Sequence, residues 1–242
     1  MNREAQGIVL FVFGGAVLHA GLTDEYLRYV RAGLRPYLLM AGVVLIIAAM
    51  ATLWYELRPA ARAARAKQSE PDAGHGHGHR EPRIAWLLVL PLFALIVVAP
   101  PALGSYAADR TGTALTKPLG YDTLPAEDPL QLTVVDYAGR AVYDHGRAIS
   151  GRRIKLTGFI TVGSHGTYLT RMMLNCCAAD ALPIKVALTG KLPADVVRDS
   201  WVDVIGTYSS KQLKDEVNGR AIPYFEVGQI TPVKAPADEY ED

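Results

Sequence analysis

Three stretches of the chain run without a charged side chain for about the thickness of a membrane. They cover residues 5–23, 36–55 and 84–108, which is 19, 20 and 25 residues. A helix rises about 1.5 Å per residue, so roughly 20 apolar residues cross a 30 Å hydrocarbon core. The pattern predicts three transmembrane helices, at about residues 5–23, 36–57 and 84–103, in a membrane domain spanning 1–108. Pro91, Pro100 and Pro101 fall in the third run and predict a kink and an end to the regular helix there.

The period changes after Gly151. Residues 153–157 alternate polar and apolar and lead into 158–162; Gly163-Ser164-His165-Gly166 reads as a turn before residues 167–175. Residues 183–188, 201–208 and 224–233 repeat the strand pattern, with a turn or short helix at 193–199. Five such strands in 151–234 predict a small OB-like β-barrel, with Gly158 and Gly206 as bending positions. Residues 109–150 read as a tether with a helix inside 130–145, and 235–242 as an acidic tail. The fold class is therefore membrane α plus small β.

Loop charge sets the orientation. The loop over 58–83 carries Arg58, Arg62, Arg65, Lys67, Arg80 and Arg83, while the loop between the first two runs carries Arg28, Arg31 and Arg35. The excess of Lys and Arg places the longer loop and the N-terminus in the cytoplasm and the β domain outside. Localisation in the inner cell membrane as a multi-pass protein follows, with the bilayer itself as a partner. The small residues Gly14, Gly15, Ala16, Ala41 and Gly42 offer close packing to a partner helix. His19, near the outer end of the first run, is either a functional group or an imidazole at interface depth.

Composition narrows the chemistry. The 242 residues contain 25 basic and 24 acidic side chains, and residues 104–242 alone carry 15 and 17. Neither balance suits a nucleic-acid partner. The two cysteines are adjacent, Cys176 and Cys177, within Arg171-Met172-Met173-Leu174-Asn175-Cys176-Cys177-Ala178-Ala179-Asp180-Ala181. Four readings of this pair stand: buried small side chains, a strained vicinal disulfide, a metal site, and a thiol nucleophile with His145 or His165 as its base. For a metal, Cys176, Cys177 and Asp180 are the donors, with His165 as a fourth, and sulfur and oxygen together favour zinc. In the cytoplasmic loop His75, His77 and His79 alternate with glycine, which is either a weak, exchangeable imidazole site or a low-complexity spacer.

The three apolar runs, the His-bearing basic loop, RMMLNCCAADALPIKV and the later WVDVIGTY together resemble the YcgQ-like permease subunit family of bacteria, over essentially the whole chain. Its most specific part is CCAADA from Cys176, with Arg171 before it, Ala178 and Ala179 inside it, Pro183 after it, and Trp201 opening the later segment. The resemblance implies one half of a two-component permease complex, the other half being a polytopic membrane protein. The expectation is thus a non-catalytic subunit whose outer domain binds or gates a ligand. A membrane-anchored thiol or metal enzyme and a structural interaction module are the alternatives.

Overall fold

The computed structural model describes residues 3–58, 102–193 and 196–241. The expected third helix, the basic loop and the His75-His77-His79 tract fall outside the described residues. The chain divides into two compact units, Met1–Tyr26 with Gly33–Pro101, and Leu27–Ala32 with Ala102–Asp242.

The first unit contains α1 (Arg3–Leu22) and α2 (Arg35–Leu57). Pro36 sits in the first turn of α2, where a missing N–H costs nothing. Within Ala32–Tyr55 an 18-residue stretch reaches a mean hydropathy of 2.2, so this segment is long and apolar enough to cross a membrane; α1 offers the shorter apolar stretch Gln6–Leu22. The two helices pack through glycines of α1 spaced seven residues apart. A Cβ at Gly7, Gly14 or Gly21 would lie 2.9 Å from a side-chain carbon of Leu53, Ile46 or Leu39, and one at Gly42 would lie 2.7 Å from Leu18. Of the small residues expected to receive a partner helix, Gly14 and Gly42 are therefore used within the chain, whereas Ala41 is exposed and a Cβ at Gly15 would meet nothing within 4 Å. Outward, the pair exposes Ile8, Phe11, Val12, Val43, Val44, Ile47 and Met50.

The second unit is built on five long strands: β2 (Ile154–Gly163), β3 (Gly166–Met173), β4 (Leu182–Thr189), β5 (Trp201–Lys214) and β6 (Ala221–Pro232). Two-residue strands β1 (Leu130–Gln131) and β7 (Tyr240–Glu241) flank them. Pairing runs β2–β5–β6–β4–β3 and returns to β2, which closes a five-stranded barrel. Only β4 with β6 is parallel inside this ring, and the order matches that of an OB-like barrel. The alternation read from sequence is real: Ile154, Leu156, Val202 and Val204 are buried, while Lys155 and Thr157 face Asp203 at 2.7 Å each. Gly206 sits where the β5–β6 register shifts, and a Cβ there would lie 2.0 Å from the Glu226 carbonyl oxygen. Only glycine lets the strands approach so closely.

The segment read as a tether is largely docked on the barrel. Helix α3 (Ser105–Arg110) anchors through Ser105, whose N–H and hydroxyl both donate to Asp199 at 2.8 Å. Beyond it Ala114 N–H donates to the Pro183 carbonyl at 2.9 Å, and Thr113 is fully buried. Helix α4 (Val134–Tyr143) starts at Thr133, whose hydroxyl accepts from Asp136 N–H at 3.0 Å. Its Val134, Tyr137, Ala138 and Ala141 fall at spacings of three and four and enter the core, with Tyr137 edge-on to Phe225 at 5.1 Å.

The acidic tail is likewise part of the fold. Glu241 is buried: its carboxylate accepts from Val134 N–H at 3.0 Å and Val135 N–H at 2.9 Å, and lies 3.3 Å from Arg171 Nε. Burial raises the Glu241 carboxyl above its ordinary range, although Arg171 and the two α4 N–H groups oppose that shift. Tyr240 accepts a hydrogen bond from Leu103 N–H at 3.0 Å and donates to the Arg28 carbonyl at 3.2 Å. Composition alone made this segment look solvated; the buried Arg171 is what draws its carboxylate inward.

Candidate functional site

After β3 the chain turns sharply before β4, and the two thiols lie in that turn. A single 3-10 turn, Ala178–Asp180, begins directly after Cys177. Cys177 is extended, φ −151° and ψ 168°, and acts as the cap of the turn: its sulfur accepts from Asp180 N–H while Asp180 accepts from Cys177 N–H. Adjacent residues on a strand point to opposite faces. The turn after Cys177 breaks that alternation. As a result a sulfur of Cys176, a sulfur of Cys177 and a carboxylate oxygen of Asp180 all lie within 4.8 Å of one another.

Asp180 holds the loop together. Its carboxylate accepts from Asn175 N–H at 3.3 Å, Cys176 N–H at 3.0 Å and Cys177 N–H at 3.3 Å. The Cys176 thiol is a fourth donor to it, and this contact is the largest cause lowering the Asp180 pKa. The same contact pushes the Cys176 thiol up to about 11, since ionisation would place a thiolate against a carboxylate. A carboxylate has about four acceptor positions, so all are filled while Cys176 is protonated. Loss of that proton frees one oxygen position and one sulfur together.

The loop is also a strand partner. Val30 forms an antiparallel bridge with Cys177, Arg31 N–H donates to the Cys176 carbonyl at 3.2 Å, and Ala178 N–H donates to the Tyr29 carbonyl at 2.8 Å. Residues 27–32 thus fold with the barrel rather than with the helices they join. Cys176 itself stays exposed, and Cys177 is half-buried.

As a ligand set, two thiols and one carboxylate suit zinc or another thiophilic ion. Zinc–sulfur bonds of about 2.3 Å need sulfurs roughly 3.8 Å apart, within the 4.8 Å that bounds the three donor atoms here. His165, expected as a fourth donor, sits in the β2–β3 turn and is engaged elsewhere: its Nε2 lies 3.1 Å from Glu216 of the β5–β6 connection, outside the thiol cluster. Three protein donors leave one position open, unlike the closed four-ligand arrangement of structural zinc sites. Arg171 does not touch the thiols. It is buried under Trp201, with its guanidinium carbon 4.9 Å from the ring, and its Nη2 donates to the Tyr240 carbonyl at 2.9 Å. Pro183 is the second residue of β4 and pairs with Met172. The outer members of the sequence motif are therefore barrel and tail contacts.

Residues 5–114 match the DUF1980 N-terminal domain, and residues 119–241 match the DUF1980 C-terminal domain. The chain belongs to the DUF1980 family. No curated protein and no solved structure matches it. In DUF1980 terms the helical pair lies in the N-terminal domain, and the thiol loop and the barrel lie in the C-terminal one. Sequence reasoning missed the partners that fix this loop, because residues 27–32 and 240–241 are far from Cys176 in the chain and carry no motif.

Proposed function

We propose that this DUF1980 chain is a non-catalytic, YcgQ-like subunit of a two-component permease in the cell membrane, whose outer barrel captures a thiophilic divalent cation, zinc first, at Cys176, Cys177 and Asp180. The observation that carries the reading is the convergence of three donors on an exposed loop with a fourth position left open. Such a site holds a cation while a partner's donor completes or removes it. The polytopic partner comes from the family resemblance. Two or three spans are also too few to build an alternating-access path from internal repeats.

The topology reading draws support from residues 27–32. Because this segment pairs with Cys177 in the barrel unit, the α1–α2 connection and the barrel belong on one side of the bilayer. An even number of crossings between residues 32 and 102 satisfies that condition. In this reading helix α2 is one, and the apolar run at 84–103, read from sequence alone, is the other. With the basic 58–83 loop in the cytoplasm, the barrel lies outside.

A thiol enzyme is the weaker reading. A nucleophilic cysteine needs a depressed pKa, whereas the hydrogen bond to Asp180 raises that of Cys176 to about 11. The test of the metal reading is zinc titration of the reduced full chain in detergent, with His75, His77 and His79 replaced and thermal stability followed. Free zinc at about a hundredfold excess over the Kd stabilises a one-site protein by roughly 2.7 kcal/mol. An unmoved transition, or one that moves equally in Cys176→Ser, defeats the proposal.

A further inference from the structure

The barrel carries a second cleft that shares no residue with the thiol loop. It is a cavity of about 200 Å³ between the β2–β3 turn at Gly163 and Ser164 and the β5–β6 connection at Asp215 to Val217. Tyr168, Lys185 and Ile222 line it from β3, β4 and β6. In barrel order these are the loops between the first and second and between the fourth and fifth strands, the usual ligand face of OB-type barrels. Position on a fold does not name a ligand, so the chemistry must.

Every carboxylate at the cleft already has a partner. Asp215 accepts from Lys185 Nζ at 3.2 Å, from Thr113 N–H at 2.9 Å and from Val217 N–H at 2.8 Å. Glu216 is held by Ser164 and by His165, and Asp109 by Arg198. The groups left over are donors. Lys185 is 8% exposed and spends two of its three N–H groups, on Asp215 and on the Thr111 carbonyl at 3.1 Å. Its third is left to the cleft, where a buried donor calls for an acceptor. Lys214 is exposed, and neither its ammonium nor the Tyr168 hydroxyl has a hydrogen-bond partner among the described residues.

Free donors alone would suit an anion, but the field does not. Lys185 and Lys214 stand against Asp109, Asp215 and Glu216 in the lining, with Asp109 paired to Arg198 behind it, so the cleft has no positive excess to attract one. What fits is a neutral ligand rich in acceptor oxygens. The apolar surface completes the description: Val162 and Val217, on opposite lips, are 49% and 56% exposed, and the buried Ile222 also lines the cleft. Exposed valines beside fixed polar groups match a pyranose, whose ring has a C–H face and an oxygen-bearing edge.

We infer that this cleft is a carbohydrate subsite that takes one sugar ring of a neutral glycan, with Lys185 and Lys214 donating to its oxygens and the two valines covering its C–H face. The test is saturation-transfer difference NMR on the full chain in nanodiscs, with chitotriose and cellotriose as probes. Transfer to the ring protons of at least one probe is expected, with a Kd of about 1 mM or tighter. Lys214→Ala and Val217→Ser lie at exposed positions and should leave the fold intact. The first should weaken binding about tenfold or more, since a hydrogen bond from a charged donor is lost; Val217→Ser should reduce transfer to the C–H protons. Cys176→Ser should leave binding unchanged. Absence of transfer from both probes overturns the inference, as does transfer unaffected by both cleft variants. Displacement of the sugar by inorganic phosphate at equal concentration would overturn its neutral-ligand basis.

Discussion

Replacing Glu241 by alanine should destabilise the barrel by about 3–5 kcal/mol, an effect out of proportion to a residue next to the end of the sequence. Its carboxylate meets Val134 N–H, Val135 N–H and Arg171 Nε at 3.0, 2.9 and 3.3 Å, with both side chains of the ion pair less than a tenth exposed. Losing the carboxylate that accepts from the two N–H groups costs about 1 kcal/mol as a helix cap. Leaving the buried Arg171 unpaired costs about 3–5 kcal/mol and dominates, and the two contributions overlap because one carboxylate makes both contacts. Against the roughly 5–15 kcal/mol of a typical domain, that is a large share. Urea unfolding followed by Trp201 fluorescence reads the effect directly, since the indole covers Arg171; Trp54 and Trp86 are replaced by phenylalanine for the assay. Adding Arg171→Met to Glu241→Ala should recover much of the loss, because the stranded charge goes with it. A loss below about 1 kcal/mol, or a double variant no more stable than Glu241→Ala, would refute the reasoning.

Three further outcomes follow from geometry. Gly14→Val should loosen the α1–α2 pair by about 1–3 kcal/mol through overpacking against Ile46 and Leu45, while Gly15→Val, with open space around it, should be neutral; helix-pair resistance to sodium dodecyl sulfate separates them. Thr133→Ala should cost about 1 kcal/mol of barrel stability by uncapping α4, read in the same urea assay. In metal-free protein, Cys176 should be alkylated slowly below pH 9 and reach half its maximal rate near pH 11. The sign follows from the raised folded value: the thiol's hydrogen bond is intact below the ordinary value of 9.0 and is lost as pH climbs to about 11. Asp180→Asn removes the carboxylate and should bring that midpoint down.

The barrel was legible because its strands bury one face, and a period of two survives in residues such as Ile154, Leu156, Val202 and Val204. Gly206 stood out for the same reason, as a glycine inside a strand pattern. Residues 102–115 and 240–241 were not legible. Their order comes from long-range pairing, Ser105 with Asp199, Ala114 with Pro183 and Glu241 with Arg171, and nothing local in Gly, Thr and Glu announces it. At the candidate site, the trio Cys176, Cys177 and Asp180 was readable from spacing, because a short turn brings neighbours together. His165 lies across a hairpin from the pair, and its engagement with Glu216 depends on where the β5–β6 connection lies. The buried Lys185–Asp215 pair left no trace in the sequence beyond an alternating lysine and a loop aspartate.

The central claim, a cation held by Cys176, Cys177 and Asp180, is tested most directly by elemental analysis of the full chain, purified reduced and without an affinity tag, with His75, His77 and His79 all replaced. The account predicts about one zinc per chain after equilibration with zinc and gel filtration, as for a single site well above its Kd, and its loss in Cys176→Ser and in Cys177→Ser. Zinc retained equally by both serine variants, or no zinc retained by the parent, would contradict it.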